Sequence, residues 1–231
     1  MKQILSVIFG WMTIVCVVVF SVSSIALDTS FYTTRYEKYN FAPQLGVSRE
    51  DLNESIEILL DYLVDERDDI HGEITLYGKK QETFNKRETD HMVDVKALYQ
   101  NALKTGYTSA IGMVILLVFF IWKEKKKWLA YLTRGFLIAM AAFVTFIAFI
   151  GIWCMYDFTA FWNWFHTIFF TNDLWLLDPR TDFMINMLPE IIFSQLVQAI
   201  VFRVLLLLVP VSLFSLYYRF KKAPIGFWRK P

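Results

Sequence analysis

The chain has few of the motifs by which catalytic and metal sites usually declare themselves. It contains no GxSxG elbow, so no serine is presented on a strand-to-helix turn. Ser194 is the kind of serine still open as a nucleophile, but a reaction without an acyl-enzyme is the more natural expectation. There is no HExxH or similarly tight ligand spacing, so no metal is expected, and no cofactor either. Cysteine is limited to two in 231 residues. Cys16 falls in the middle of one apolar run and Cys154 near the outer end of another, depths that do not match for a disulfide, so both are expected to be buried apolar side chains. Histidine is also sparse, with three residues, His71, His91 and His166.

Apolar and aromatic residues are abundant. They make up 56% and 18% of the chain, and the charges gather in blocks between them, which places the chain in the membrane class. A membrane-crossing helix needs about 20 apolar residues to span about 30 Å of hydrocarbon. Ile4 to Leu27, Phe136 to Met155 and roughly Ile191 to Tyr218 satisfy this, while Tyr107 to Trp122 is short. The helix carrying the short run is therefore expected to begin earlier, between Lys96 and Gly106, with Lys104 snorkelling to the surface. The first run is longer than the apolar region of about 7 to 15 residues in a signal peptide, so it reads as a retained anchor despite Ser24 and Ala26.

The expected fold is thus all-α, with four transmembrane helices at residues 1–27, 107–122, 136–156 and 191–218. Residues 28–106 form a small, mainly helical extracellular cap with a short strand, and residues 157–190 an outer, aromatic interfacial segment. Lys2, the loop 123–135 with Lys123, Lys125, Lys126, Lys127 and Arg134, and the tail 219–231 with Arg219, Lys221, Lys222, Arg229 and Lys230 put the basic residues on one side. By the positive-inside rule both termini are cytoplasmic, in a multi-pass protein of the plasma membrane.

Within the cap, Ser48 followed by Asp51 resembles a weak capping box and predicts a helix whose core face is Leu52, Ile56, Leu59, Leu60 and Leu63. The acidic run Glu50 to Asp69 reads as a solvated face. Glu73 to Tyr77 alternates like a strand and stops at Gly78, and His71 before it reads as a solvated loop residue. A second helix is expected from Thr89, with His91 and Asp94 three residues apart on one face, where the carboxylate would orient the imidazole and raise its pKa.

The most informative stretch is Phe161 to Pro179, FWNWFHTIFFTNDLWLLDP. Aromatic residues at this density mark the membrane interface, with Trp162, Trp164 and Trp175 read as interfacial anchors. His166 therefore stands where headgroups and ester bonds lie, able to exchange a proton near neutral pH. Counting about 1.5 Å per residue along the helices places His166 just outside the hydrocarbon. A break near Gly106 would lower His91 to the same level. Arg203, in the outer half of the fourth run, either faces a polar cavity with Gln195, Asp157 or Glu190 as partner, or is a structural arginine snorkelling outward. Asp178 with Pro179 suggests a turn, and Pro189 with Glu190 a helix start.

Four segments taken together, YTTRYEKY, GVSREDLNESIEILLDYL, ETDHMVDVKALY and FHTIFFTNDLWLLDPRTDFMINMLPEIIF, occur in the order found in the lipoprotein intramolecular transacylase family of Gram-positive bacteria, which this chain resembles over nearly its whole length. The resemblance implies an acyltransferase of lipoprotein maturation whose partner is a diacylglyceryl-modified lipoprotein in the lipid bilayer. The sn-2 acyl chain of the S-diacylglyceryl cysteine moves to the α-amine of the same N-terminal cysteine, giving the lyso-form. It also implies that His91 and His166 are the catalytic pair. Asp94, Gln195 and Arg203 are then substrate-binding candidates, with His91 as general base and His166 as its partner, the reverse assignment remaining open. Two alternatives compete: a non-catalytic assembly factor or sensor with a pH-responsive cap, and an acyltransferase working through an acyl-serine.

Overall fold

The computed structural model describes residues 1–222, so Arg229 and Lys230 lie outside the described residues. Two compact units are present. One comprises Met1–Val22, Leu103–Tyr156 and the chain from Ile200, the other Ser23–Ala102 and Asp157–Ala199.

The first unit is built from long apolar helices. These are α1 (Lys2–Ala26), the later part of α5 (Lys86–Glu124), α6 (Trp128–Tyr156) and the later part of α9 (Glu190–Lys222). Among the described residues, three helical stretches are long and apolar enough to cross a membrane: Lys2–Ala26, Lys86–Tyr156 and Glu190–Lys221. The middle one contains α5 and α6, joined by the 3-10 turn Lys125–Lys127, where Lys125 has a left-handed φ of 47°. Ile111, Val114, Ile115 and Val118 on α5, Phe146, Phe149 and Ile152 on α6, and Phe202, Leu205 and Leu206 on α9 are exposed. So much contiguous apolar surface is tenable in lipid and not in water. The protein is a multi-span, largely helical membrane protein.

Inside this unit Ile14 packs on Phe136, Ala139, Met140 and Phe143 of α6 and on Val204 and Leu208 of α9. The α1–α6 crossing depends on small residues, because a Cβ at Gly135 would lie 2.0 Å from the Ser6 carbonyl oxygen. A break near Gly106 would have lowered His91, yet α5 passes through this glycine unbroken. Its role is close approach: a Cβ there would stand 2.8 Å from Val19 of α1, and its carbonyl accepts from the Cys16 thiol at 3.7 Å. Cys16 and Cys154 are free and half-buried rather than fully buried.

The second unit is the cap, helical with one hairpin. Asp28 caps α2 (Thr29–Lys38) by accepting from Ser30 N at 3.0 Å. After the short α3 (Phe41–Leu45), Ser48 caps α4 (Arg49–Leu63) by accepting from Asp51 N at 2.9 Å, as the sequence predicts. Leu52, Ile56, Leu59 and Leu60 are buried. They share a core with Phe31, Tyr32 and Tyr36 of α2, Met92 of α5, Phe183, Met184 and Met187 of α8 (Phe183–Met187), and Ile192 of α9. The expected strand is half of a hairpin, β1 (Glu73–Leu76) paired antiparallel with β2 (Lys79–Glu82). Tyr77 and Gly78, both at positive φ (48° and 80°), form the tight turn that suits a two-residue hairpin. β2 carries no alternation because all four of its residues are exposed.

α5 begins at Lys86, three residues before the expected start. Asn85 Oδ1 accepts from Arg87 N (2.9 Å) and Glu88 N (3.1 Å), while Glu88 Oε2 accepts from Asn85 N (2.7 Å). This reciprocal cap is readable in the sequence as Asn-x-x-Glu.

Candidate active site

His91 stands in the second turn of α5 and His166 in α7 (Phe158–Phe169), both within the cap unit. A single residue, Asp157, separates α6 from α7, and its carboxylate accepts from Ala160 N at 2.8 Å. The two imidazoles are only 7% and 8% exposed, and their ring centroids are 6.3 Å apart. Buried polar side chains meeting across separate helices are unusual in a core, and here they meet among aromatic rings.

Phe170, where α7 ends, touches both imidazoles, at 5.3 Å from His91 and 5.5 Å from His166. Trp175 stacks on His166 at 4.8 Å, and Trp162 meets it edge-on at 4.9 Å. Trp162 in turn lies 4.5 Å from Phe193 of α9. Trp162 and Trp175 are thus walls of the histidine site as well as aromatic surface, whereas Trp164 is 40% exposed.

A hydrogen bond distinguishes the two histidines. His166 Nδ1 lies 2.7 Å from the Trp162 carbonyl oxygen. A carbonyl only accepts, so Nδ1 carries the proton, and Nε2 of the neutral ring presents its lone pair. His91 Nδ1, by contrast, is buried and has no hydrogen-bond partner among the described residues.

Burial sets the electrostatics of both rings. It pushes the pKa of His91 down to about 4, helped by the neighbouring His166 and Arg87. Asp94 pulls the other way, as its spacing suggested, but does not overcome desolvation. Burial also lowers His166, with the Trp162 carbonyl opposing it. Both rings are therefore neutral at pH 7.

Two anchors flank His91 along α5. Arg87 donates to the backbone carbonyl of Asp173 and lies 3.6 Å from its carboxylate. Asp94 Oδ2 accepts from Asn172 Nδ2 at 2.8 Å. Together they hold the chain after α7, which carries Phe170 and Trp175, against the histidine-bearing turn. A third tie is deeper: the Glu88 carboxylate, 1% exposed, accepts from Met184 N (2.5 Å), and Asp182 accepts from Asn85 Nδ2 (2.8 Å). Desolvation raises the pKa of Glu88. Sequence reasoning had passed over Glu88.

The other candidates make contacts of their own. Gln195 accepts from Arg35 Nε at 2.8 Å and donates to the Tyr39 hydroxyl at 2.5 Å. Asp157 caps α7, and Glu190 accepts from Thr159 at 2.6 Å. Arg203 itself is half-buried in the membrane unit. His71 is exposed, 3.4 Å from Glu82, and the Ser194 hydroxyl donates to Ile191 O within α9. Asp178 is held by Arg180, which brings its pKa down to about 2, and its carbonyl accepts from Thr181 and Asp182 in the expected turn.

Comparison with known proteins decides the family. The model of the family "Lipoprotein intramolecular transacylase Lit" matches residues 7–193, most of the chain. The chain belongs to the Lit family. No curated protein sequence matches it. Solved structures of Lit from Bacillus cereus share the fold. One has a TM-score of 0.70 and 21% identity over 95% of both chains. Two variants, one histidine being replaced by arginine or by alanine, give TM-scores of 0.71 at 20% identity, covering 96% of this chain and 94% and 96% of theirs. As a Lit-family member the protein is an acyltransferase that moves an acyl chain from oxygen to nitrogen within one lipoprotein molecule.

Proposed function

We propose that His91 and His166 carry out this transfer, from the sn-2 ester of an S-diacylglyceryl cysteine to the α-amine of that cysteine. The observation that carries the assignment is the pair of buried imidazoles 6.3 Å apart, one of them locked in a single tautomer by the Trp162 carbonyl. That tautomer favours His166 as general base, the reverse of the first expectation, because its Nε2 is free to accept a proton. His91, kept neutral by burial, is suited to donate an N–H to developing negative charge.

The amine nitrogen attacks the sn-2 ester carbonyl carbon, and its proton passes to His166 Nε2. His91 donates to the resulting oxyanion. As the tetrahedral centre collapses, the bond from that carbon to the glycerol oxygen breaks. The His166 imidazolium returns its proton to the departing alkoxide, leaving an amide and a free hydroxyl. Amine and ester belong to one molecule, so the site supplies mainly orientation and charge stabilisation. The aromatic walls exclude water, which would otherwise compete with the amine.

The finer topology belongs to the same proposal. α5 and α6 each cross the bilayer, making four spans. The ion pair between Lys2 and Glu124 (2.8 Å) supports placing the N-terminus at the same end as the basic turn Lys125–Lys127, which the positive-inside rule assigns to the cytoplasm. α7 has no Asp, Glu, Lys or Arg and exposes Trp164, Ile168 and Phe169, which suits a helix lying in the headgroup layer on the outer side.

Mass spectrometry of a lipoprotein N-terminus from cells with and without the protein tests the reading. An N-acyl, S-monoacylglyceryl cysteine that requires the protein, and is lost on replacing His91 or His166, is the expected result. Product formation that survives replacement of both histidines refutes the assignment.

A further inference from the structure

A cleft of about 210 Å³ adjoins the histidine pair inside the cap unit. It is smaller than small-molecule pockets of about 300–1,000 Å³. Phe170, which contacts both imidazoles, forms one wall. From there the cleft follows α5 along Asp94, Leu98 and Asn101, at helical spacing and beginning one turn beyond His91, with Thr171 and Asn172 opposite. Its polar groups contrast with the aromatic surround of His166.

The substrate leaves the reacting centre in two chemically different directions. Its acyl chain needs only apolar contact, whereas the peptide brings backbone N–H and C=O groups that require partners. Asp94 and Thr171 offer such partners. Asp94 is half-buried, uses one oxygen on Asn172, and makes no ion pair with any Lys or Arg among the described residues. The cleft therefore presents a carboxylate that has no ion-pair partner among the described residues, one helical turn from His91.

We infer that this cleft receives the peptide residue following the modified cysteine and that Asp94 sets a charge preference there, favouring a basic over an acidic side chain. The inference rests on the histidine pair being the reacting centre. A unit charge within about 6 Å of such a carboxylate is worth on the order of a tenfold change in kcat/KM.

The test uses synthetic diacylglyceryl lipopeptides in a zwitterionic detergent, identical except for Lys, Ser or Glu after the cysteine, with the N-acyl product followed by mass spectrometry. The full-length wild type is expected to favour Lys over Glu about tenfold, mainly through KM. Asp94→Asn, which still offers an oxygen to Asn172, should reduce the ratio to within about twofold, and Asn101→Asp should steepen it. A wild-type ratio near one, or one that survives Asp94→Asn, overturns the inference. Micelle partitioning acts equally on wild type and variant and cannot imitate the collapse. His166→Ala distinguishes the two failures: if it still converts the Ser peptide, the reacting centre is misassigned, whereas a dead His166→Ala with an unchanged Asp94→Asn ratio rejects the peptide cleft alone.

Discussion

Lowering the pH should destabilise the cap through His91, and the size of the effect follows from its burial. In the unfolded chain the imidazole titrates near its ordinary value of about 6.5. In the folded cap burial holds it at about 4. Below 6.5 the unfolded state takes up the proton while the folded state resists it, so stability present above 6.5 is lost as pH falls toward 4. A gap of about 2.5 units is worth about 3 kcal/mol, or a shift in Tm of about 6–12 °C for a chain of this size. Other groups titrate over the same range, so the measurement is a difference: thermal unfolding of purified wild type and His91→Gln at pH 7 and at pH 4. The variant cannot titrate at this position, so its Tm should fall by several degrees less than that of wild type over that interval. Parallel losses in the two proteins would refute the claim that desolvation of His91 outweighs the pull of Asp94.

Three further outcomes are expected. His166→Ala should lower kcat about 10²–10⁴-fold as a lost base, and His91→Gln about 10²–10³-fold as a lost oxyanion donor. In steady-state assays the double variant should be little worse than the poorer single one, because the two act on one step. Glu88→Ala leaves Asn85 N and Met184 N without their acceptor and should cost about 1–3 kcal/mol in thermal unfolding, with Glu88→Gln intermediate. Gly135→Ala should destabilise by about 1–3 kcal/mol or more, since its Cβ would meet the Ser6 backbone, which cannot rotate away. Gly151→Ala, whose Cβ meets open space, should be neutral or stabilising by up to about 1 kcal/mol in the same assay.

Local features of the cap were legible wherever the code is local. The Ser48 cap, the buried face of α4, the strand at Glu73 and the turn at Asp178 were all read in advance and are present. α2, α3 and β2 were not foreseen. α2 owes its place to three buried aromatic rings rather than to a regular apolar stripe, and β2 is exposed throughout, held by its ladder to β1. Gly106 was ambiguous because glycine serves equally at a bend and at a close helix contact, and only the partner, Val19, distinguishes them.

The amino-acid sequence by itself determined that the chain is a membrane protein and that it carries its scarce histidines outside the longest apolar runs, and its family resemblance pointed to the two of them proposed as the catalytic pair. Hydropathy, motif order and helical spacing are properties of neighbours along the chain, and they survive without coordinates. Only the tertiary structure decided how the site is set. Asp94 raises His91, as its spacing suggested, but burial outweighs it and drives His91 down, while the carboxylate also accepts from Asn172. The tautomer of His166 is set by the Trp162 carbonyl, and its walls include Trp175 and Phe170, which the sequence left as surface aromatics. Desolvation and ring packing depend on what distant segments bring to the same place, and that information lies in no single stretch of residues.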